Sequence, residues 1–200
     1  MTLARLVLAT ANPGKVRELH PLVAEWGDVE VLSLADVPPL AMPAETGTTY
    51  VENATLKARA VAVATGLPAL ADDSGIEVDA LGGGPGVYSA RYADGEAAAN
   101  AKMLAELRDV PAERRTARYR AVVVVAWPDG TALSAEGTCE GSILEAPRGQ
   151  GGFGYDPIFR SSDLGRSLGE APAEAKAGVS HRARAMRALG AALRSRGIVG

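Results

Sequence analysis

The stretch that decides the fold is residues 67–75, Leu-Pro-Ala-Leu-Ala-Asp-Asp-Ser-Gly, followed by a glycine-rich turn at 81–86. Its apolar half predicts a buried strand, so Asp72 and Asp73 are expected where that strand emerges into a loop. Two adjacent carboxylates there are costly, because each resists desolvation and each repels the other. A bound divalent cation offsets both costs, and hard oxygen ligands suit Mg²⁺. The sequence Asp-Asp-Ser-Gly is also typical of turns. The alternative interpretation is therefore that Asp72 and Asp73 only end the strand and cap a turn.

Strand and helix signals alternate on either side of this stretch. Strands are predicted at 6–9, 29–32, 117–127 and 131–140, and helices at 16–26, 49–65, 96–107 and 183–193. Thr49 and Glu52 have capping-box spacing, and Gly66 ends the Ala-rich helix that follows them. A hairpin turn at 128–130 joins the two middle strands. Early alternation followed by a hairpin predicts an α/β protein with a mixed sheet.

Composition limits the classes of protein that fit. The chain has 200 residues, which suits one domain over 1–200, with two lobes as an option, and its hydrophobic content of 47% is ample for a packed interior. A net charge of −3 argues against a generic nucleic-acid binder. The single cysteine, Cys139, and the lack of a leader or membrane segment predict a cytoplasmic protein with no membrane partner.

The first candidate site is Thr10-Ala11-Asn12-Pro13-Gly14-Lys15, between a predicted strand and helix. Free backbone N–H groups, the positive helix end and an ammonium group would converge there on an anion. The segment is not a Walker A loop, since that pattern needs Gly where Ala9 stands and Ser or Thr where Val16 stands. An ordinary strand-to-helix turn with an exposed lysine is the alternative.

The second candidate groups Glu45 with Asp72 and Asp73 as a Mg²⁺ site. Asn53 and Lys57 lie one helical turn apart on the same face of the predicted helix, so both side chains are able to point into the same cleft as the acidic residues. A solvated polar face is the more common explanation of such a pair.

The third candidate is Gly151-Gly152-Phe153-Gly154-Tyr155-Asp156-Pro157. Glycines allow close backbone approach, an aromatic face stacks on a nucleobase, and Asp156 is a hydrogen-bond acceptor. The alternative is an aromatic plug beneath a loop.

The fourth candidate is Lys176 with Ser180-His181-Arg182. His181 at a helix start beside Arg182 suits donation to a carbonyl or phosphate, and plain helix capping by Ser180 is the alternative. His20 is too distant in sequence to give a metal-site spacing. No Ser-His-Asp or Cys-His arrangement supports covalent catalysis.

The order of these blocks resembles the Ham1 family of inosine triphosphate pyrophosphatases, which act on non-canonical purine nucleotides. The blocks are Thr-x-Asn-x-x-Lys, then Glu-Thr-Gly with Glu-Asn-Ala, then Ala-Asp-Asp-Ser-Gly, then Gly-Gly-Phe-Gly-Tyr-Asp-Pro, then Ser-His-Arg. The resemblance runs from about Leu6 to Leu193. It implies a two-lobed α/β fold, with a long twisted mixed sheet flanked by helices and an active-site cleft between the lobes. It also implies a homodimer, Mg²⁺ dependence, and hydrolysis of ITP, dITP and XTP to the monophosphate and pyrophosphate.

Residue roles follow from the resemblance alone. It implies that Asp73 is the general base and that Glu45 and Asp73, with Asp72 adjacent, hold the metal. It implies triphosphate contacts by residues 10–15 and Ser74, and a cleft position for Lys57. It implies substrate and base contacts by Phe153, Gly154, Tyr155, Asp156, Lys176, His181 and Arg182.

One departure and two alternatives accompany the resemblance. The family often has Gly or Asn where Ala11 stands, which puts phosphate affinity in doubt. A Maf-like nucleotide pyrophosphatase of other specificity and a non-catalytic nucleotide-binding module are the competing hypotheses.

Overall fold

The computed structural model describes residues 2–200 of the chain. Its strands are β1 (Arg5–Leu8), β2 (Glu30–Leu32), β3 (Ala69–Val78), β4 (Thr116–Ala126), β5 (Ala132–Ile143) and β6 (Phe159–Ser161). Its α-helices are α1 (Pro13–Ala24), α2 (Tyr50–Thr65), α3 (Glu96–Glu106), α4 (Ala173–Val179) and α5 (His181–Arg194). None of the helices described combines the length and the apolar character that crossing a bilayer requires.

The strands form one six-stranded sheet in the order β2-β1-β3-β4-β5-β6. The strand β1 is parallel to both β2 and β3, with Leu8 opposite Leu70 at the end of the second pairing. The strand β6 is antiparallel to β5. The predicted α/β class and mixed sheet are therefore confirmed.

Local sequence signals explain several element ends. Thr49 caps α2, since its side chain accepts the N–H of Glu52 while the Glu52 side chain accepts the N–H of Thr49, as capping-box spacing predicts. Gly66 ends α2 in the left-handed conformation, at a φ of 68°. Two elements, β6 and α4, are absent from the sequence prediction because they are short.

The position of the aspartate pair was predicted wrongly. Asp72 and Asp73 lie inside β3, a strand of 10 residues, and not where a strand gives way to a loop. The pairing with β1 ends at Leu70, so the aspartates lie just beyond the parallel edge. Sheet pairing to β4 overrides the turn propensity of Asp-Asp-Ser-Gly, because β propensity is set largely by context.

The chain divides into two compact units. Unit 1 consists of residues 1–73, 121–137 and 182–200, and unit 2 of 74–120 and 138–181. The core of unit 1 includes Trp26 and Trp127, and the predicted stripe of α5, Ala183, Met186, Leu189 and Leu193, is fully buried in it. The core of unit 2 includes Met103 and Phe159. The proposed single domain with two lobes remains a prediction.

Gly190 of α5 lies against Trp26, and replacing it with alanine should destabilise unit 1. A Cβ there would lie 2.5 Å from Nε1 and 2.7 Å from Cδ1 of the indole, which donates to the Met186 carbonyl at 3.2 Å. Overpacking a core lowers the free energy of unfolding by about 1–3 kcal/mol, whereas the higher helix propensity of alanine raises it by about 1 kcal/mol. We therefore expect Gly190→Ala to lower the free energy of unfolding, measured by urea titration. Gly178→Ala, where a Cβ meets nothing within 4 Å, should not lower it, and equal effects would contradict this explanation.

Candidate active site

Four polar side chains of unit 1, Glu45, Asn53, Lys57 and Asp73, form what we call the acid–lysine cluster. The Lys57 ammonium donates to Glu45 Oε1 at 2.7 Å and to Asp73 Oδ1 at 3.0 Å. It also donates to the Asp72 carbonyl at 2.9 Å. Asn53 Nδ2 donates to Asp73 Oδ2 at 3.3 Å. The cluster brings together the predicted base, one predicted acidic partner and the predicted cleft lysine.

The helix α2 and the strand β3 position this cluster. Asn53 and Lys57 lie at i and i+4 on α2, so both side chains lie on the face that meets β3, as the spacing predicts. Both residues are buried, and Asp73 is only 5% exposed. Buried charges of this kind require partners, and the cluster supplies them mutually.

The segment 10–15 starts α1 but differs from the predicted anion site. Asn12 is the helix cap, and its Oδ1 accepts the N–H groups of Gly14 and Lys15 at 2.8 and 3.2 Å. Pro13 has no N–H. The prediction of free amide groups at this helix start is therefore wrong for these three residues. Thr10 Oγ1 accepts the Asn12 N–H, and Ala11 is exposed.

The Lys15 side chain reaches the aspartate pair instead. Its ammonium forms an ion pair with the Asp72 carboxylate and donates to the Asp72 carbonyl at 3.3 Å. Lys57 donates to the same carbonyl oxygen, so two ammonium groups converge on one peptide group.

Lys15, Glu18, Asp72 and Arg182 form a second group in unit 1, the buried ion network. Arg182 donates from Nε to Asp72 Oδ2 at 3.1 Å and from Nη2 to Oδ1 at 3.3 Å. Its Nη1 binds Glu18. Arg182 and Asp72 are each 1% exposed, whereas the side chains of Glu18 and Lys15 are 23% and 16% exposed.

The buried ion network contains two residues with predicted roles in the site, Asp72 and Arg182. Successive side chains of a strand point to opposite faces, so Asp72 is directed away from the face of Asp73. Its carboxylate is bound to Lys15 and Arg182, and its role as a metal ligand stays a prediction. The Arg182 guanidinium is bound to two carboxylates, and its contact with a purine likewise stays a prediction.

Charge and burial set opposite pKa shifts on the two aspartates. Burial would raise the pKa of Asp72, but the charges of Arg182 and Lys15 outweigh it and hold this pKa well below its usual range. Burial raises the pKa of Asp73, and Lys57 offsets it only in part. Burial lowers the pKa of Lys15 despite its pairing with Asp72. Asp72 is thus a permanent anion, whereas Asp73 is the better proton acceptor.

The glycine loop of unit 2 holds a separate group, Phe153, Asp156 and Lys176. Asp156 Oδ2 accepts the Phe153 N–H at 2.8 Å and the Lys176 ammonium at 2.6 Å. The ammonium also lies 4.8 Å from the Phe153 ring centroid. Gly152 has a φ of 74°, and a Cβ there would collide with the Asp156 carboxylate. The loop is therefore tightly built around Asp156, with Phe153 and Gly154 only half-buried.

Three other predicted residues of unit 2 are placed as follows. The Tyr155 hydroxyl donates to the Ser89 carbonyl at 2.8 Å and the ring is buried, as the alternative of an aromatic plug expects, while its contact with a base stays a prediction. His181 is buried and stacks on Tyr119, with ring centroids 4.6 Å apart and planes at 7°. The predicted contact of His181 with substrate stays a prediction. Ser74 follows Asp73 in β3 and is half-buried.

Sequence reasoning missed Glu18 and Tyr119 and left Asn53 uncommitted. Glu18 lies one helical turn from Lys15 on α1, which is a usable signal. Tyr119 gives only the alternation of a strand, so nothing in the sequence links it to His181.

A complete metal-ligand set is not preformed by protein side chains. No group of three or more His, Cys, Asp or Glu side chains able to hold a metal occurs within residues 2–200. The metal-binding role of Glu45, Asp72 and Asp73 stays a prediction, and two of the three, Glu45 and Asp73, bind the same Lys57 ammonium.

Known proteins resemble the chain along nearly its whole length. A sequence model described as the Ham1 family matches residues 6–192. A dITP/XTP pyrophosphatase of Thermus thermophilus is 56% identical over 188 residues, which cover 92% of this chain and 89% of the relative. One of Geobacillus kaustophilus is 52% identical over 187 residues, covering 92% and 91%.

Solved structures agree with these relatives. A Ham1 protein from Coxiella burnetii has a TM-score of 0.85 and 37% identity, covering 98% of this chain and 100% of its own. The structure of a nucleoside-triphosphatase / dITP/XTP pyrophosphatase from Mycobacterium abscessus has a TM-score of 0.74 and 45% identity, covering 92% and 98%. The family model over residues 6–192 and the relatives of 56% and 52% identity show that the chain belongs to the Ham1 family.

Proposed function

We propose that this protein is a nucleoside triphosphate pyrophosphatase that hydrolyses the non-canonical purine nucleotides XTP, dITP and ITP to monophosphate and pyrophosphate. Curated relatives at about half identity carry the name dITP/XTP pyrophosphatase, which supports this substrate class. The cytoplasmic location and the homodimer remain predictions.

One observation in unit 1 carries the proposal. Lys15 and Lys57 converge on the Asp72 carbonyl, while Asp73 and Glu45 lie against Lys57. Two ammonium groups beside two carboxylates suit a polyphosphate together with a divalent cation, since each anion of the ligand then meets a cation. In a purely structural ion pair each charged group needs only one partner of opposite charge, whereas Lys57 binds two carboxylates.

The residues present fit Mg²⁺. Oxygens of Glu45 and Asp73, with the Asp72 carbonyl, already surround one positive charge, the Lys57 ammonium. Mg²⁺ is typically bound through one or two carboxylates plus substrate phosphates, which agrees with the absence of a third carboxylate from this group. Glu45 and Asp73 would hold the ion. When bound, it would neutralise phosphate charge and polarise the phosphoryl group under attack.

Asp73, Lys15 and Lys57 have different roles in the hydrolysis. Asp73 accepts a proton from water, whose oxygen bonds to the α-phosphorus as the bond to the bridging oxygen of the β-phosphate breaks. Pyrophosphate leaves with the electron pair of that bond, and Lys15 stabilises its developing charge. Lys57 binds one oxygen of Asp73 and places a positive charge beside it.

The group of Phe153, Asp156 and Lys176 in unit 2 has the chemistry that a purine requires. Phe153 offers an aromatic face, and the Lys176 ammonium is a donor suited to a 6-oxo group. Adenine bears a donor at that position, so a site built on buried donors would discriminate against it. The base-recognition role of these residues is part of the proposal.

The deciding experiment incubates the protein with Mg²⁺ and XTP, dITP or ITP and measures the phosphate product. Pyrophosphate is expected, with ATP and GTP much poorer substrates and no turnover in EDTA. Orthophosphate as the product would contradict the reaction type. Binding of XTP without turnover would favour a nucleotide-binding module, and preference for other nucleotides would favour the Maf-like alternative.

The pH dependence of kcat should show an acid limb that responds to Mg²⁺. Burial raises the pKa of Asp73, so protonation removes the base as the pH falls, beginning above the ordinary aspartate value. A cation competes with the proton for the same carboxylate, so raising the Mg²⁺ concentration should move this limb to lower pH. The measurement is a kcat–pH profile at two Mg²⁺ concentrations, and an acid limb that stays in place would contradict Asp73 as a shared ligand and base.

A further inference from the structure

The geometry points to Asn53 as a positioning residue that orients the Asp73 carboxylate and ties it to the loop carrying Glu45. This inference rests on the proposed function and extends it to a side chain of α2 that contacts no phosphate in the proposed mechanism. It concerns only residues of unit 1.

Both ends of the Asn53 amide are bound. Its Oδ1 accepts the backbone N–H of Gly47 at 2.8 Å, and its Nδ2 donates to Asp73 Oδ2 at 3.3 Å. An N–H group requires the oxygen and a carboxylate requires the NH₂, so the two partners permit one orientation of the amide. Because Asn53 is fully buried, water does not replace either bond.

The arrangement determines how Asp73 is held. Lys57 binds Oδ1 of the carboxylate and Asn53 binds Oδ2, so each oxygen has its own donor, one turn apart on α2. Lys57 places a positive charge beside the carboxylate, whereas Asn53 donates a neutral hydrogen bond that fixes its orientation. A carboxylate held at both oxygens keeps its plane fixed, which is what a general base needs.

Gly47 fits the same explanation. A Cβ at Gly47 would lie 2.7 Å from Asn53 Oδ1 and 2.7 Å from Glu52 Cβ, so only glycine lets the backbone come this close. Gly47 is two residues after Glu45, so the Asn53–Gly47 bond also holds the loop that supplies the second carboxylate. Asn53 therefore links the two acidic residues of the acid–lysine cluster through one amide.

The test uses two substitutions that separate the two bonds. Asn53→Asp keeps an acceptor for Gly47 but removes the donor to Asp73, and Asn53→Leu removes both. We expect each to lower kcat for dITP about 10- to 100-fold, the loss typical of a hydrogen bond to a charged group, with KM changed less than about 2-fold. Gly47→Ala, which displaces Asn53 without changing it, should lower kcat in the same direction.

A second readout does not depend on catalysis. Amide hydrogen exchange at Gly47 should accelerate in Asn53→Leu and stay slow in Asn53→Asp, because only the first loses the acceptor. Equal exchange in wild type and Asn53→Leu would overturn the link to the loop. If wild-type protein shows no hydrolysis, the proposed function fails while this readout still decides the link.

Thr49→Ala is the matched control for a purely structural effect. It removes the cap of α2, which lowers stability by about 1 kcal/mol, while the side-chain hydrogen bonds of Asn53 and Asp73 are left in place. Its kcat should stay within about 2-fold of wild type, the scatter of a surface change. Wild-type kcat in Asn53→Asp, a rise in KM alone, or an equal kcat loss in Thr49→Ala would overturn the positioning role.

Discussion

Asp73→Asn should lower kcat for dITP by about 100-fold or more, since a positioned general base typically contributes a factor of that size. The amide is nearly the same shape, so Lys57 and Asn53 still surround it, but it neither accepts the proton of water nor carries charge for a divalent cation. Steady-state release of pyrophosphate measures the effect. KM should change much less than kcat, since Lys15, which takes the phosphate charge, is untouched.

Asp79→Asn is the control for this substitution. Asp79 follows β3 directly and binds Thr116 and Arg118 at an exposed position. Its kcat should stay within about 2-fold of wild type, as for most surface substitutions. Near-normal turnover in Asp73→Asn would remove Asp73 from the mechanism.

Arg182→Met should lower the free energy of unfolding of unit 1 by about 3–5 kcal/mol, because it breaks a buried ion network and leaves its carboxylates short of a partner. Arg182 is 1% exposed and supplies both oxygens of Asp72 with donors while also binding Glu18. Urea unfolding followed by tryptophan fluorescence is the measurement. Both tryptophans of the chain, Trp26 and Trp127, lie in the core of unit 1, so the signal reports on this unit.

The same helix provides a matched control. Arg187 of α5 pairs with Glu25 at 3.1 Å, and both side chains are 44% exposed. Exposed pairs contribute about 0–1 kcal/mol, so Arg187→Met should change the unfolding free energy little. If both variants were equally stable, the network would be contributing no more than a surface pair.

Local structure was largely predictable from sequence, because its causes are local. Spacing alone predicted three local features that the structure confirms. They are the capping box of Thr49 and Glu52, the end of α2 at Gly66, and the buried apolar face of α5. The aspartate pair was misplaced for the opposite reason. Its side chains favour turns, whereas pairing with a strand more than forty residues later in the chain extends β3 through them.

The candidate site was predictable in part. The i, i+4 spacing of Asn53 and Lys57 predicted that they share a helix face, and the structure shows that both bind Asp73, which the spacing left open. The partners of Arg182 could not be inferred, because Asp72 is 110 positions away in sequence and no local pattern records such a pairing. The sequence therefore predicted a substrate contact for Arg182 and a metal-ligand role for Asp72, but it did not show that the two residues bind each other.

The division of unit 1 among three separate segments has a consequence for biosynthesis. Its core includes α5, which is translated after the other helices and strands of the unit, so Leu19, Val23 and Trp26 lack part of their final packing until residues 181–194 have emerged. Until then, apolar side chains of residues 1–73 stay exposed to solvent on the nascent chain. Such exposed apolar surface favours aggregation and binding by chaperones. Truncations that remove α5 should accordingly yield insoluble protein, even though every residue of the acid–lysine cluster has already been translated.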